Sequence, residues 1–206
     1  MSATARHLSN ADPVMSQLVD RFGAPDLKPR RLPPFQSLAH AIIHQQLHSA
    51  AAGTILKRFN ALFDGNAFPT PEAVIRVDVE RLRTAGLSRP KAGYIRDLAQ
   101  KSIDGVVPTL RECDSLTDAE LLDRLTSIKG VGRWTVEMLL IFNLGRPDVL
   151  PVHDLGVRRG FKVAYRKRTA PTPEQLDRFG VRWSPHRSTA AWYLWQAADL
   201  LNDGEW

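Results

Sequence analysis

The chain has 206 residues and a net charge of +6, and it is long enough for a sizeable hydrophobic core in one domain or two small lobes. No apolar run is long enough to span a bilayer, and the N-terminal residues, which include Arg6 and His7, are too polar for a secretory signal peptide. Cys113 is the only cysteine, which excludes a disulfide framework or a cysteine-based metal cluster within the chain and favours a reducing, cytoplasmic setting.

The hydrophobic pattern predicts an all-α fold. No stretch shows the sustained two-residue alternation of a strand, whereas helix signals recur from end to end. The first predicted helix covers about residues 12–22, with Val14, Leu18 and Phe22 directed inward. Residues 25–34 form a proline-rich connection.

The next two helices flank a predicted break. The first covers about residues 35–46, and its apolar face consists of Phe35, Leu38, Ala39, Ile42 and Ile43. A break near Leu47 and His48 separates it from a third helix, for which Ser49 is the expected N-cap. The predicted inward face of this third helix consists of Ile55, Leu56, Phe59 and Leu62.

Capping signals mark the starts of five further helices. They are Thr70-Pro71, Ser88-Arg89-Pro90, the capping boxes Thr117-x-x-Glu120 and Thr172-x-x-Gln175, and Ser184-Pro185. The helix after Ser88 carries Tyr94, Ile95, Leu98 and Ile103, and the final helix carries Trp192, Trp195 and Leu200.

The helix that opens at Thr117 leads into a tight Gly130-Val-Gly132 turn and a second helix. Apolar residues continue at helical spacing after the turn, at Trp134, Met138, Ile141 and Phe142, up to a stop at Gly145. Without side chains at the two glycines, the N–H groups of the turn can approach a phosphate closely. The pattern therefore favours a turn that grips a nucleic-acid backbone without reading bases. An ordinary glycine-rich connection between helices is the alternative.

Positive charge is concentrated at this turn and in the segment after it. Residues 129–168 contain nine basic and three acidic residues, and this excess of six equals the net charge of the whole chain. A phosphate-facing surface needs such an excess, although a solvated basic face would give the same count.

Asp154 directly precedes a predicted helix that ends near Tyr165. Aspartate at this position favours a role as the N-cap of that helix. A catalytic carboxylate is the other interpretation, and both can hold, because a capping side chain is also rigidly placed.

Together these segments resemble the helix-hairpin-helix DNA glycosylase superfamily. The motifs that carry the resemblance are Gly-Val-Gly-Arg-Trp-Thr at 130–135 and Pro-Val-His-Asp at 151–154, and the similarity extends from about Pro34 to Trp195. The most similar branch is that of the alkylated-base, or 3-methyladenine, DNA glycosylases. The resemblance implies two helical lobes, residues 36–145 and residues 1–35 plus 146–206, with the active cleft between them and Asp154 at its mouth.

The resemblance also implies roles for the motif residues. Asp154 would stabilise the oxocarbenium-like sugar and orient or deprotonate the attacking water. Relatives that also cleave the DNA strand carry a lysine where this chain has Trp134, so the nucleophilic amine is missing and a monofunctional glycosylase is expected. The residues expected to bind the DNA backbone are Lys129, Gly130, Val131, Gly132, Arg133 and Arg158.

Trp134, Trp195 and Met138 would line the base pocket. The electron-rich face of an indole stacks well on a cationic alkylated purine, although a single tryptophan more often fills a core. The segment Arg182-Trp183-x-Pro185-x-Arg187-Ser188 has the family's spacing and supports the assignment of Trp195. Met138 stands where relatives often have an aromatic residue, which leaves the base preference open.

Gln45, Gln46, Leu47 and His48 match the loop that fills the space vacated by the flipped base in this family. Gln46 and Leu47 are equal candidates for the inserted side chain. A helix end with solvated glutamines is the alternative interpretation of this loop.

The expected function is therefore excision of alkylated purines, such as 3-methyladenine and 7-methylguanine, from double-stranded DNA by base flipping, as the first step of base excision repair. The alternatives are a glycosylase for an oxidised or deaminated base and a non-catalytic helix-hairpin-helix module that binds DNA. We expect a monomer without a membrane partner, a cofactor or a catalytic metal. His40, His44 and His48 have the spacing of a metal-binding helix face, but the predicted break and the missing acidic ligand argue against it. The hairpin carbonyls could hold a structural monovalent cation, as in related proteins.

Overall fold

The structure is a computed structural model that describes residues 2–63 and 67–203. Every regular element in this part of the chain is helical, which confirms the predicted all-α fold. The chain forms two compact units, one made of Met1–Pro29 and Leu140–Trp206 and the other of Arg30–Leu139. The lobe boundaries drawn from the resemblance stay a prediction, and their residues 1, 64–66 and 204–206 lie outside the described part. No described helix is long and apolar enough to cross a membrane.

The helices follow one another with short connections. In chain order they are α1 (Ala3–Ala11), α2 (Pro13–Phe22), α3 (Pro34–His44), α4 (Ser49–Ala61), α5 (Pro71–Arg76), α6 (Val79–Arg83), α7 (Arg89–Ile103), α8 (Leu110–Ser115), α9 (Asp118–Thr126), α10 (Arg133–Met138), a π-helix (Leu139–Leu144), α11 (Leu155–Ala164), α12 (Pro173–Gly180), a 3₁₀ turn (Val181–Trp183) and α13 (Arg187–Asp203).

The N-terminal segment forms two helices where the sequence pattern predicts one. Helix α1 was missed because Leu8 is its only large aliphatic residue, and this side chain is fully buried. Asp12 ends α1 and caps α2 through a hydrogen bond from the Val14 N–H group. The buried face of α2 consists of Met15, Leu18 and Val19, whereas Val14 and Phe22 are only partly buried.

Helices α11 and α13 form the centre of the unit that contains both chain ends. Two glycines on one face of α11 allow this pair to approach closely. A Cβ atom at Gly160 would overlap the carbonyl oxygen of Leu194, and one at Gly156 would lie 2.9 Å from Cδ1 of Trp195. Helix α13 begins at Arg187, not at Ser184-Pro185 as predicted, because Ser184 ends the preceding 3₁₀ turn.

The unit formed by residues 30–139 is built around α3 and α7. The predicted apolar face of α3 is buried, but the helix ends at His44, two residues earlier than expected. The N-cap of α4 is His48 rather than Ser49, and of the predicted inward face of α4 only Phe59 is fully buried. The capping residues predicted from sequence at the starts of α5, α7, α9 and α12 all bond as expected.

The hairpin consists of α9, the Gly130-Val-Gly132 turn and α10. The second hairpin helix is not a regular α-helix throughout, since its last six residues, Leu139–Leu144, form a π-helix. Gly145 follows it with a φ of +73°, a left-handed conformation that glycine adopts without strain. The predicted stop at Gly145 is therefore confirmed.

Candidate active site and DNA-binding surface

Asp154 is the N-cap of α11 and is half-buried. Its Oδ1 atom accepts two hydrogen bonds, from the backbone N–H of Val157 at 2.8 Å and from the indole Nε1–H of Trp195 at 2.9 Å. Its own N–H group donates to the carbonyl of Pro151 at 2.9 Å. The carboxylate is therefore fixed by its own helix and by α13, and the N-terminus of α11 adds a favourable dipole for its negative charge.

Trp195 lies directly beside Asp154 in the same unit. Its ring packs against Phe142 at a centroid distance of 5.6 Å and an interplanar angle of 32°. A Cβ atom at Gly156 would lie 3.2 Å from Nε1 of Trp195 and 3.1 Å from Oδ1 of Asp154, so this glycine makes room for the bond between them. The contributions of Phe142 and Gly156 are not predictable from sequence, because Phe142 lies 53 residues before Trp195 and Gly156 matters only through the close contact of α11 with α13.

A network from α13 holds the chain that leads to Asp154. Arg187 binds both carboxylate oxygens of Asp148, at 2.8 and 2.9 Å, and Ser184 donates to the same carboxylate. Burial opposes the charge of Asp148, but these hydrogen bonds outweigh it and lower the pKa of its carboxyl group. The Oγ of Ser188 donates to the carbonyl of Arg146 and accepts from the N–H of Val149. Three residues of the motif at 182–188 therefore fix residues 146–149, which precede Asp154 in the chain.

The hairpin turn lies in the unit formed by residues 30–139. Gly130 has a φ of +80°, and a Cβ atom there would overlap the ring of Tyr94, so only glycine fits. Gly132 is the N-cap of α10 and has no side chain to cap the first N–H groups of that helix. Such N–H groups at a helix N-terminus can bind a phosphate. Val131 is buried, and its side chain anchors the turn.

Two basic side chains flank the turn. The side chain of Lys129 is 76% exposed, and its backbone N–H donates to Asp97 at 2.9 Å. Arg133 donates to the buried carboxylate of Glu137 at 2.9 Å and leaves more than half of its own side chain exposed. Arg158, predicted to bind the backbone as well, lies in the other unit, where its Nε donates to the carbonyl of Pro171 at 2.8 Å.

A cavity of about 750 Å³ opens beside the hairpin turn within residues 30–139. Trp134 and Met138, one helical turn apart on α10, both line it. Trp134 is half-exposed, at 49%, which is unusual for so large an apolar residue. Two of the three predicted pocket residues therefore share this cavity, and the third, Trp195, contacts Asp154 in the other unit.

The loop at residues 45–48, predicted to fill the space vacated by the base, follows α3 at the edge of the same cavity. Gln45 is not directed to solvent, because its side-chain Nε2 donates to the carbonyl of Gly130 at 2.8 Å. Gln46 has a left-handed φ of +56°, which is strained for a residue with a side chain. Leu47 is 40% exposed and His48 is exposed as well. The loop therefore has a bonded stem and an exposed tip.

Metal ligands are not grouped in the described residues. No set of three or more His, Cys, Asp or Glu side chains within residues 2–63 and 67–203 could hold an ion. Helix α3 ends at His44, so His48 lies outside the helix that carries His40. The Gly130 carbonyl of the hairpin carries an amide donor from Gln45, and that of Ile128 carries the N–H of Val131.

Comparison with known proteins supports this description. Residues 39–186 match the family model of the HhH-GPD superfamily base excision DNA repair proteins. The chain is 40% identical over 198 residues to DNA-3-methyladenine glycosylase 1 of Schizosaccharomyces pombe, a match that covers 95% of this chain and 87% of that protein.

Two solved structures are also similar. The S. pombe 3-methyladenine DNA glycosylase in complex with abasic DNA aligns with a TM-score of 0.83 at 40% identity and covers 95% of this chain and 96% of that one. DNA-3-methyladenine glycosidase from Bacillus halodurans aligns with a TM-score of 0.89 at 36% identity and covers 98% and 92%. The resemblance inferred from the motifs is therefore confirmed: the chain belongs to the HhH-GPD superfamily of base excision DNA repair proteins.

Proposed function

We propose that this chain is a monofunctional DNA glycosylase that hydrolyses the N-glycosidic bond of alkylated purines in double-stranded DNA. The observation that carries the proposal is the carboxylate of Asp154, held by the Val157 N–H and the Trp195 indole in a chain 40% identical to a DNA-3-methyladenine glycosylase. The substrates are purines of the 3-methyladenine and 7-methylguanine class, and their release begins base excision repair.

Asp154 acts on the sugar. When the bond between C1′ and the base nitrogen breaks, its electron pair leaves with the base and the sugar develops oxocarbenium character. A carboxylate fixed nearby stabilises that positive charge and orients a water molecule, whose oxygen forms the new bond to C1′. The water's proton passes to the carboxylate or to solvent. Because an alkylated purine is already cationic, it departs as a neutral base and needs no strong general acid.

The hairpin and the loop after α3 bind the DNA and hold the nucleotide out of the base stack. The turn at Gly130 and Gly132 binds the DNA backbone through N–H groups, and Lys129 adds positive charge. The tip of the loop, through Gln46 or Leu47, fills the space left by the base. The half-exposed indole of Trp134 offers a stacking face for a cationic base, worth about 0.5–2 kcal/mol.

Trp134 stands where strand-cleaving relatives have a lysine, so water rather than an amine attacks the sugar. The enzyme then forms no Schiff base with DNA, and treatment with borohydride traps no covalent adduct. We further propose that the protein acts as a monomer in the cytoplasm and has no membrane partner.

The test is incubation of the protein with methylated duplex DNA, followed by chromatographic identification of the free bases. We expect 3-methyladenine and 7-methylguanine in the product. We expect Asp154→Asn to lower base release by about a thousandfold, because an amide cannot stabilise a cation, while binding to DNA with an abasic-site analogue is kept.

Asp78→Asn is the matched control, since Asp78 caps α6 through the N–H of Arg81 as Asp154 caps α11. It should release bases at the wild-type rate. Near-normal turnover by Asp154→Asn would refute the catalytic assignment. Tight binding without base release by the wild-type chain would favour a non-catalytic DNA-binding module, and release of oxidised or deaminated bases alone would favour a different lesion.

A further inference from the structure

One face of α7 holds both the loop after α3 and the hairpin turn. The three contacting residues, Lys91, Tyr94 and Asp97, are spaced three residues apart and so lie along the same side of the helix. Each makes a different contact with the neighbouring segments. Together they connect two elements that are far apart in sequence.

Lys91 fixes the stem of the loop. Its Nζ atom donates to the carbonyl of Ile43 at 2.8 Å and to that of Gln45 at 2.6 Å. These carbonyls belong to the C-terminus of α3, where the helix itself cannot satisfy them. A cation at a helix C-terminus also complements the negative end of the helix dipole. Burial lowers the pKa of this lysine, so the ammonium is held by the two carbonyls in a partly desolvated position.

The same loop is bonded to the hairpin turn. Gln45, whose carbonyl Lys91 binds, donates from its side chain to the Gly130 carbonyl at 2.8 Å. The ring of Tyr94 lies against Gly130 so closely that no Cβ atom fits between them. Asp97 accepts from the N–H of Lys129 at 2.9 Å. The stem of the loop and the turn are therefore fixed to one helix at a set separation.

The tip of the loop is more exposed than its stem, although the Leu47 N–H donates to the carbonyl of His44 at 3.2 Å. Leu47 is 40% exposed, and Gln46 is in a left-handed conformation. A side chain that enters a base stack works against the cost of unstacking, so its direction must be fixed by the stem. The stem must in turn be held at a set position relative to the hairpin turn, which binds the DNA backbone.

We propose that Lys91 is a positioning residue for base extrusion, which holds the 45–48 loop at a fixed distance from the hairpin turn. The proposal rests on the proposed function, since it assigns the loop to the filling of the vacated space. Lys91 also lines the cavity that contains Trp134 and Met138, and a direct contact with the base there would lower base release equally on every duplex. As a positioning residue it acts only on the step in which the base leaves the stack, so its loss leaves binding to the DNA backbone and the carboxylate of Asp154 intact.

The test compares two variants. Lys91→Met keeps most of the aliphatic side chain but removes the hydrogen-bond donor, and Lys91→Arg keeps the charge and the donors. Lys101→Met, at the far end of α7, is the matched control. Single-turnover base release is measured on a duplex with a paired lesion and on one with the same lesion opposite an abasic site, where extrusion is easier. Fluorescence of 2-aminopurine beside the lesion reports unstacking.

We expect Lys91→Met to lower base release from the paired duplex by about tenfold and to reduce the fluorescence increase. On the duplex with the opposite abasic site the loss should shrink to within about twofold. Lys91→Arg should restore most of the rate, and Lys101→Met should behave as wild type. Gln45→Ala, which cuts the link to Gly130, should show the same preference for the unpaired substrate.

An equal loss on both duplexes, or no loss on the paired one, would overturn the proposal. A covalent adduct trapped by borohydride in the wild type and lost in Lys91→Met would also overturn it, because the amine would then be a nucleophile. Failure of the wild-type chain to release any base counts against the proposed function instead. In that case the fluorescence increase with the wild type and its loss in Lys91→Met would still support positioning.

Discussion

The carboxylate of Asp154 and the loop after α3 are supported in opposite ways. Asp154 lies beside two helices that approach so closely that only glycine fits at two positions of α11, and one of its oxygens accepts two donors. The loop presents an exposed leucine and a strained glutamine at its tip. In the proposed function, the group that acts on the sugar is therefore held in place before DNA binds, whereas the loop that enters DNA is more exposed at its tip than at its stem.

The largest effect should come from the close contact between α11 and α13 beside Asp154. Gly160→Ala places a methyl group against the carbonyl oxygen of Leu194, which is backbone and cannot turn away. We expect a loss of about 3 kcal/mol in the free energy of unfolding, measured by urea denaturation. Gly53→Ala is the control, since nothing lies within 4 Å of a Cβ atom there. An unchanged stability of Gly160→Ala would show that the helix pair is loosely packed.

A smaller effect should follow from Trp195→Phe, which keeps an aromatic ring but removes the donor to Asp154. We expect base release to fall by about tenfold to a hundredfold, because the carboxylate loses one of its two supports on Oδ1. Binding to DNA with an abasic-site analogue should stay within about twofold, since no base is present to stack. Trp192→Phe, on the same helix, should leave both quantities unchanged. A wild-type rate for Trp195→Phe would remove Trp195 from the support of Asp154.

The smallest effect on the free energy of unfolding should come from the exposed tip of the loop after α3. Leu47→Ala should change the free energy of unfolding by less than about 0.5 kcal/mol, because the side chain packs little in the free protein. We expect it to lower base release from a paired duplex by about tenfold, and Gln46→Ala to have a weaker effect, because apolar side chains insert most readily between bases. The reverse order would identify Gln46 as the inserted residue.

Much of the fold could be predicted because its signals are local. Thr70, Ser88, Thr117 and Thr172 cap the helices that follow them, and a cap depends only on the next three residues. The same holds for Asp154, whose capping bond to Val157 spans three residues. Its predicted catalytic role depends on the family resemblance, because a cap alone is also an ordinary structural feature.

What the sequence could not reveal depends on partners far along the chain. Lys91 binds carbonyls 46 and 48 residues away, and Gln45 reaches a carbonyl 85 residues away. Contacts between residues so far apart leave no periodic pattern in the sequence. A lysine in the first turn of a helix also usually faces solvent, so nothing marks Lys91 as a contact residue. The π-helix after Met138 was missed for a related reason, because its sequence has the apolar spacing of an α-helix.

The regular geometry of α7 fixes the separation between its three contacting residues. An α-helix rises about 1.5 Å per residue, so the path from Lys91 to Asp97 measures about 9 Å, close to the length of two or three stacked base pairs. An insertion of one residue between them would lengthen this path by about 1.5 Å and turn the far contact away by about 100°. Under the proposed positioning role, such a variant still binds DNA but inserts the loop beside the wrong nucleotide.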